Sequence, residues 1–225
     1  KEKMDFYVHM VNDALEQMLG LDDSEQKKVR EAMRYSLLAG GKRLRPVLSL
    51  AVCDALDGDI EQVLPFACAT EMIHTYSLIH DDLPSMDNDD YRRGRLTNHK
   101  VFGEAMAILA GDGLLNYAYE VMLDYVCKNR DNIYAKIEAM RIIAKFSGID
   151  GMIGGQVVDL ECEGKHISPE LLEYMHRHKT GALIKAPVLA AAAICNASPE
   201  QKASLEKYAG NLGLAFQIRD DILDV

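Results

Sequence analysis

The run from Ile60 to Ile79 constrains this chain more than any other stretch. Leu64, Phe66, Ala69, Met72, Ile73 and Ile79 make it apolar nearly all round, and a helix of that kind has to be surrounded by protein. On it His74, Ser77 and Asp81 stand at i, i+3 and i+7, within about 60° of one another at roughly 3.6 residues per turn. A polar strip therefore runs along a central helix and leads into Asp81-Asp82-Leu83-Pro84-Ser85-Met86-Asp87. Pro84 ends or kinks the helix and lets Asp87 fold back towards Asp81. Asn88-Asp89-Asp90 and Arg92-Arg93-Gly94-Arg95 follow at once. Hard oxygen donors for a divalent cation thus stand beside guanidiniums that can clamp an anion, which predicts a metal-bridged phosphate site. His74 taken alone reads as a hydrogen-bonded core residue, and its alignment under Asp81 argues for a part in the site.

The remaining chain reads as helices separated by glycine, proline and capping signals. The first spans residues 6–19, with Gly20 at the C-cap position, and the second starts near Asp22-Asp23-Ser24 and runs to Leu38 and Ala39. Gly40-Gly41 break it, and Lys42-Arg43-Leu44-Arg45-Pro46 form a basic loop whose proline suits the first turn of the next helix, residues 47–56. Amide donors and the helix dipole there favour an anion; the plain alternative is a solvated basic loop. A long helix is expected over residues 101–126, and another from Ile133 to about Glu161. Glycines 148, 151, 154 and 155 lower helix propensity by about 1 kcal/mol each, which a kink or a close ligand approach would explain. Gln156 and Asp159 share a face of this helix.

Ser168-Pro169-Glu170 is a helix start leading to His176-Arg177-His178-Lys179-Thr180-Gly181. Lys179 and Thr180 are candidate phosphate contacts, and the spacing of His176 and His178 does not fit a helical zinc pair. Ser198-Pro199-Glu200-Gln201 forms a capping box. The helix it opens carries Gln217, Asp220, Asp221 and Asp224 on one face, and Asp220 and Asp224 repel each other unless a cation joins them. No period-two strand pattern and no internal repeat occur, so the expected fold is all-α.

With 225 residues, 48% of them hydrophobic, the chain can bury a substantial core, and a single domain over residues 1–225 is expected. A net charge of -10 and a pI near 5.2 argue against a nucleic-acid partner. Five cysteines without a CxxC pair fit reduced thiols and a cytoplasmic location. No apolar run is long enough to span a membrane, and Lys1-Glu2-Lys3-Met4-Asp5 does not open a signal peptide.

The ordered motifs together resemble the trans-isoprenyl diphosphate synthases, and bacterial farnesyl diphosphate synthases in particular. The resemblance runs from Gly40-Gly41-Lys42-Arg43-Leu44-Arg45-Pro46 through Ser77 to Asp87, Arg92-Arg93-Gly94 and Thr97-Asn98-His99. It resumes at Gly155-Gln156 to Asp159, Lys179-Thr180-Gly181 and Phe216-Gln217 to Asp224. It implies a helical bundle around a deep apolar pocket, a homodimer, and Mg²⁺-dependent condensation of isopentenyl diphosphate with dimethylallyl and geranyl diphosphate. By resemblance Asp81, Asp87 and Asp220, supported by Asp82, Asp221 and Asp224, hold about three Mg²⁺ ions per active site. Arg92, Lys179, Thr180 and Gln217 would hold the allylic substrate, and Lys42, Arg45, His74 and Arg93 the diphosphate of isopentenyl diphosphate.

The resemblance also assigns product length to Tyr76 and Ser77, with an aromatic at Tyr76 resembling farnesyl-making enzymes. A geranylgeranyl diphosphate synthase is the nearest alternative, and a noncatalytic prenyl-synthase-like subunit or helical binding protein the alternative from another class. A redox dimetal carboxylate bundle is disfavoured, because such sites are built on glutamates whereas both acidic motifs here are aspartates. The family continues past the second aspartate motif whereas this sequence stops at Val225, so the expectation is that the C-terminal part of the family domain is missing, with weak or absent activity if the molecule ended there.

Overall fold

In the computed structural model residues 2–223 are described, the side chains of Asp220, Asp221 and Leu223 excepted. Asp224, assigned to the second aspartate motif, lies outside the described residues. The helices are α1 (Glu2–Met18), α2 (Lys27–Leu37), α3 (Leu44–Ala55), α4 (Ile60–Asp81), α5 (Asn98–Phe102), α6 (Glu104–Lys128), α7 (Ile133–Ser147), α8 (Met152–Cys162), α9 (Pro169–Met175), α10 (Ala182–Ile194) and α11 (Pro199–Leu223). A five-residue π-turn, His176–Thr180, joins α9 to α10. The all-α expectation holds, with one small exception: β1 (Tyr91–Arg92) and β2 (Arg95–Leu96) pair as an antiparallel hairpin.

The described residues fall into two compact units, one drawn from Lys1–Val47 and Ala67–Lys128, the other from Leu48–Phe66 and Asn129–Val225. In the first, α1 buries Tyr7, Val11 and Leu15, the four-residue spacing that keeps side chains on one helix face. Helix α2 packs along α6, where Gly113 leaves room for the Met33 thioether. The Tyr117 hydroxyl donates to the Met18 carbonyl at the end of α1. Within this unit α4 buries Met72, Ile73, Tyr76 and Ile79, as the apolar character of the run requires.

In the second unit α10 is the central element. Almost all of it is buried, because its run of alanines lets α7 and α11 approach closely. The starts of α9 and α11 follow their sequence signals. Ser168 Oγ accepts from Leu171 N–H at 3.3 Å. Ser198 N–H donates to Gln201 Oε1 at 2.8 Å while Gln201 N–H donates to Ser198 Oγ at 3.2 Å, a reciprocal capping box.

Several boundaries differ from the sequence reading. Helix α2 starts at Lys27 because Asp22 accepts from both the backbone and the hydroxyl of Ser24, forming a local turn instead of a cap. The helix expected over 101–126 is divided, since Gly103 takes φ 87° between α5 and α6. The helix expected from Ile133 to Glu161 ends at Ser147 and restarts at Met152; Gly148 is the C-cap of α7 and Gly151 the N-cap of α8.

Arg43 anchors the first unit. Fully buried, it donates from Nη1 to Glu71 Oε1 at 2.9 Å, from Nη2 to the Leu37 carbonyl at 2.7 Å and from Nε to Asn12 Oδ1 at 2.9 Å. It thereby ties α1, the end of α2 and α4 together. Arg43→Met leaves Glu71 buried without its cation and should cost about 3–5 kcal/mol in denaturant unfolding, with part of the loss recovered in the Arg43→Met/Glu71→Leu double variant.

Candidate active site

The first aspartate motif forms because α4 stops at Asp81. The chain then coils through Pro84 and returns, so that Asp87 N–H donates to the Asp81 carbonyl at 2.9 Å, while Met86 N–H and Asn88 N–H both reach the Leu83 carbonyl at 2.9 and 3.1 Å. The predicted fold-back is present, and Asp87 is exposed at its tip. Asp82 faces inward instead. It is 3% exposed and accepts from Arg92 Nε at 2.7 and 2.9 Å and from Nη2 at 2.6 Å. Burial pushes the Asp82 carboxyl above its usual value, and the Arg92 guanidinium opposes that shift. Asp82, expected among the metal ligands, is paired here with Arg92.

The hairpin sets the arginines. Arg93 and Gly94 take φ 53° and 73°, the left-handed pair of a type I′ turn. Beyond the turn, Arg95 lies 4.3 Å over the Tyr35 ring, and the Tyr35 hydroxyl donates to the Leu96 carbonyl at 2.8 Å. Thr97 Oγ1 donates to the Asp89 carbonyl at 2.7 Å, and Lys100 pairs with Asp90 at 2.7 Å. Asp89 and Asp90 are thus engaged in holding the hairpin.

Arg93 reaches the glycine loop, where it donates to the Gly40 carbonyl. Its guanidinium atoms lie 2.7–2.9 Å from where a Cβ on Gly41 would stand, and Gly41 takes φ 124°. Only glycine meets both demands. Next to this contact Lys42 is exposed. Arg45 Nε is buried without a hydrogen-bond partner, and burial lowers the Arg45 guanidinium to about 10, with Glu71 opposing and Arg93 adding to the shift. His74 is held well below the ordinary imidazole value by burial and by Arg45, Arg93, Arg92 and Arg43. A neutral imidazole thus stands among four guanidiniums, one of them with an unmet donor. Such a cluster is built for an anion with several acceptor oxygens.

Product-length candidates lie on the same helix. Tyr76 is buried and packs edge-on against His80, ring centroids 5.6 Å apart at 81°; burial pushes its phenol up to about 12. Ser77 Oγ donates to the His74 carbonyl at 2.8 Å.

The second unit carries the other candidates. The π-turn places Lys179 Nζ 2.5 Å from Asp159 Oδ2, and Thr180 Oγ1 donates to Gln217 Oε1 at 2.6 Å. Gly155 of α8 faces the Lys179 backbone so closely that a Cβ would overlap it, so the close approach expected at these glycines is made by the chain itself. Asp220 and Asp221 belong to the last turn of α11. Sequence reasoning placed Asp159 beside Gln156 and within the family resemblance but missed its pairing with Lys179. It also missed Glu71, a lone acid in an apolar run. Among the described residues no group of three or more His, Cys, Asp or Glu side chains is gathered as a metal cage.

A sequence model of the polyprenyl synthetase family matches residues 26–225. The chain belongs to the polyprenyl synthetase family. It is 56% identical over 198 residues to a farnesyl diphosphate synthase of Geobacillus stearothermophilus, covering 88% of this chain and 66% of that protein. It is 48% identical over 219 residues to the large subunit 1 of a heterodimeric geranylgeranyl pyrophosphate synthase of Arabidopsis thaliana, covering 96% and 58%. An apo crystal structure of an FPP/GFPP synthase from Zymomonas mobilis superposes with a TM-score of 0.93 at 38% identity, over 98% of this chain and 80% of that one. The chain spans less than two thirds of the length of the two curated relatives. Among the described residues no helix is long and apolar enough to cross a membrane.

The lowered basicity of His74 has a consequence for stability. The folded chain keeps the imidazole neutral where the unfolded chain, with an ordinary value near 6.5, takes up a proton. His74 therefore withdraws stability as pH falls through about 6.5 and has no effect well above it. An NMR titration should find its imidazole neutral at about pH 6, and Arg45→Met should raise its pKa by removing a neighbouring cation.

Proposed function

We propose that this protein is a prenyltransferase that joins isopentenyl diphosphate head-to-tail to dimethylallyl and then geranyl diphosphate, with farnesyl diphosphate as product. The observation that carries this reading is the folded-back Asp81 to Asp87 turn, placed in the same unit as an arginine cluster with a neutral histidine and an unmet guanidinium donor. A site for a metal-bound diphosphate and a site for a second diphosphate are the two things such a condensation needs.

Magnesium fits the donor set. It is commonly held by one or two carboxylates with phosphate oxygens and waters completing the shell, which Asp81 and Asp87 can supply with the diphosphate itself. Asp220, with Asp221 and Asp224, would add carboxylates by resemblance to the family. When bound, the metal supplies Lewis-acid neutralisation of the leaving diphosphate. Arg92, oriented by Asp82, would bind the allylic diphosphate, a role that the family resemblance also gives to Lys179, Thr180 and Gln217. Lys42, Arg45, His74 and Arg93 bind isopentenyl diphosphate and present its double bond to the allylic carbon. No side-chain base stands out, and by resemblance to the family the released diphosphate accepts the proton. We also propose a homodimeric, cytoplasmic enzyme, on the same family resemblance.

Incubation with Mg²⁺, dimethylallyl diphosphate and isopentenyl diphosphate, followed by product sizing, tests the reading. A fifteen-carbon product is expected. A mainly twenty-carbon product selects the geranylgeranyl alternative, which the name of the Arabidopsis relative favours, and no condensation overturns the assignment.

The two arginines of the hairpin should separate kinetically. Arg93→Met is expected to raise KM for isopentenyl diphosphate about 10- to 100-fold, and Arg92→Met to act on the allylic substrate, since each removes one charge-assisted contact. Tyr76→Ala should lengthen the product; an unchanged fifteen-carbon product would remove Tyr76 from that role.

A further inference from the structure

Apart from the arginine cluster and the lysine turn, two cysteines of the second unit meet over a glycine. Cys53, in the last turn of α3, is buried, and Cys195, at the C-cap of α10, is half-buried. A Cβ on Gly58 would overlap Cys195 Sγ and stand 2.9 Å from Cys53 Sγ. Gly58 N–H donates to the Cys53 carbonyl at 2.8 Å, which fixes this small residue under both sulfurs. The thiols are hydrogen-bonded to each other, and that bond raises Cys53 and lowers Cys195. Burial and the Asp59 carboxylate work against the lowering at Cys195. Of the other three cysteines, burial pushes Cys68 up to about 12, Cys127 is exposed and Cys162 is half-buried.

We propose that Cys53 and Cys195 are a redox-active pair that hydrogen peroxide converts reversibly into an intramolecular disulfide. The Cys195 thiolate attacks the O–O bond of peroxide, giving a sulfenic acid and one water once the departing hydroxide takes a proton. Cys53 sulfur then displaces the sulfenic hydroxyl, the S–S bond forms, and that hydroxyl leaves with the Cys53 proton as a second water. Each sulfur loses one electron and the peroxide gains two. Cys195 is the attacking thiol because it reaches solvent, while buried Cys53 resolves it. Since the bridge spans residues 53 to 195, it restricts the unfolded chain over a long loop and stabilises the fold.

The test treats the intact protein with peroxide near stoichiometric amounts, alkylates the remaining thiols and maps the peptides. The expected result is a Cys53–Cys195 cross-link, two fewer free thiols than the five of the reduced chain, and a melting temperature that rises and returns with dithiothreitol. Cys127→Ser should behave like the parent. Cys53→Ser should stop at a Cys195 sulfenic acid that dimedone traps, and Cys195→Ser should form no bridge. Alkylation of both Cys53 and Cys195 after oxidation overturns the proposal, as does oxidation confined to Cys127 or a Cys195 sulfinic acid without the cross-link. Should a serine variant fail to fold, the peptide map of the parent protein decides by itself.

Discussion

Charge compensation in the first unit rests on the buried pair of Arg43 and Glu71. Four guanidiniums bear on His74, and such a gathering repels itself in proportion to how far it is removed from water. Two buried carboxylates, Glu71 and Asp82, oppose it. Glu71 pairs with Arg43 and also stabilises the charge on Arg45 and Arg93, while Asp82 is committed to Arg92. The cluster is thus left with more positive charge than its buried partners neutralise. In a chain with a net charge of -10, this is a local inversion, which on the proposed reading the diphosphate of isopentenyl diphosphate offsets.

The hairpin explains how neighbouring arginines come to have different partners. Successive residues of a strand point to opposite faces, and the left-handed turn begins at Arg93. Arg92 is turned inward to Asp82, and Arg93 is sent across to the glycine loop at Gly40 and Gly41. The same short segment serves both because each arginine meets a surface shaped for it: a carboxylate that accepts two guanidinium bonds, and a glycine without a side chain.

Much of this was legible in the sequence where the signal is local and obligatory. The capping box at Ser198 and Gln201, the Ser168-Pro169 start and the fold-back after Pro84 follow from hydrogen-bonding chemistry that operates within a few residues. The hairpin was not legible, because two-residue strands carry no periodicity. The breaks at Gly103 and at Gly148 to Gly151 were ambiguous, since a glycine in an apolar run serves equally as a packing residue within a helix. Asp81 and Asp82 are adjacent identical residues, and only the end of α4 decides which one turns inward to Arg92. Lys42, Arg43 and Arg45 likewise share one basic loop in the sequence. Burial separates them into an exposed lysine, a structural ion pair and a guanidinium with an unmet donor.

The two units differ in how their polar groups are compensated, and this bears on the proposed chemistry. Lys179 is already paired with Asp159, and the Thr180 hydroxyl donates to Gln217. A ligand oxygen arriving at Lys179 has to compete with a carboxylate in direct contact. An anion arriving beside Arg45 meets a buried donor that has no partner to lose. The arginine cluster is therefore preorganised, with part of its repulsion offset by Glu71 and Asp82 and the rest left for an anion to offset. The lysine turn has to exchange one partner for another, and its π-helical backbone, closed by the Gly181 N–H to His176 carbonyl bond at 3.0 Å, is a geometry often found where function requires an irregular turn. On the proposed reading, that difference suits the diphosphate that only has to be positioned to the arginine cluster. It suits the departing diphosphate to the lysine turn, because Asp159 is at hand to pair again with Lys179 as that anion leaves.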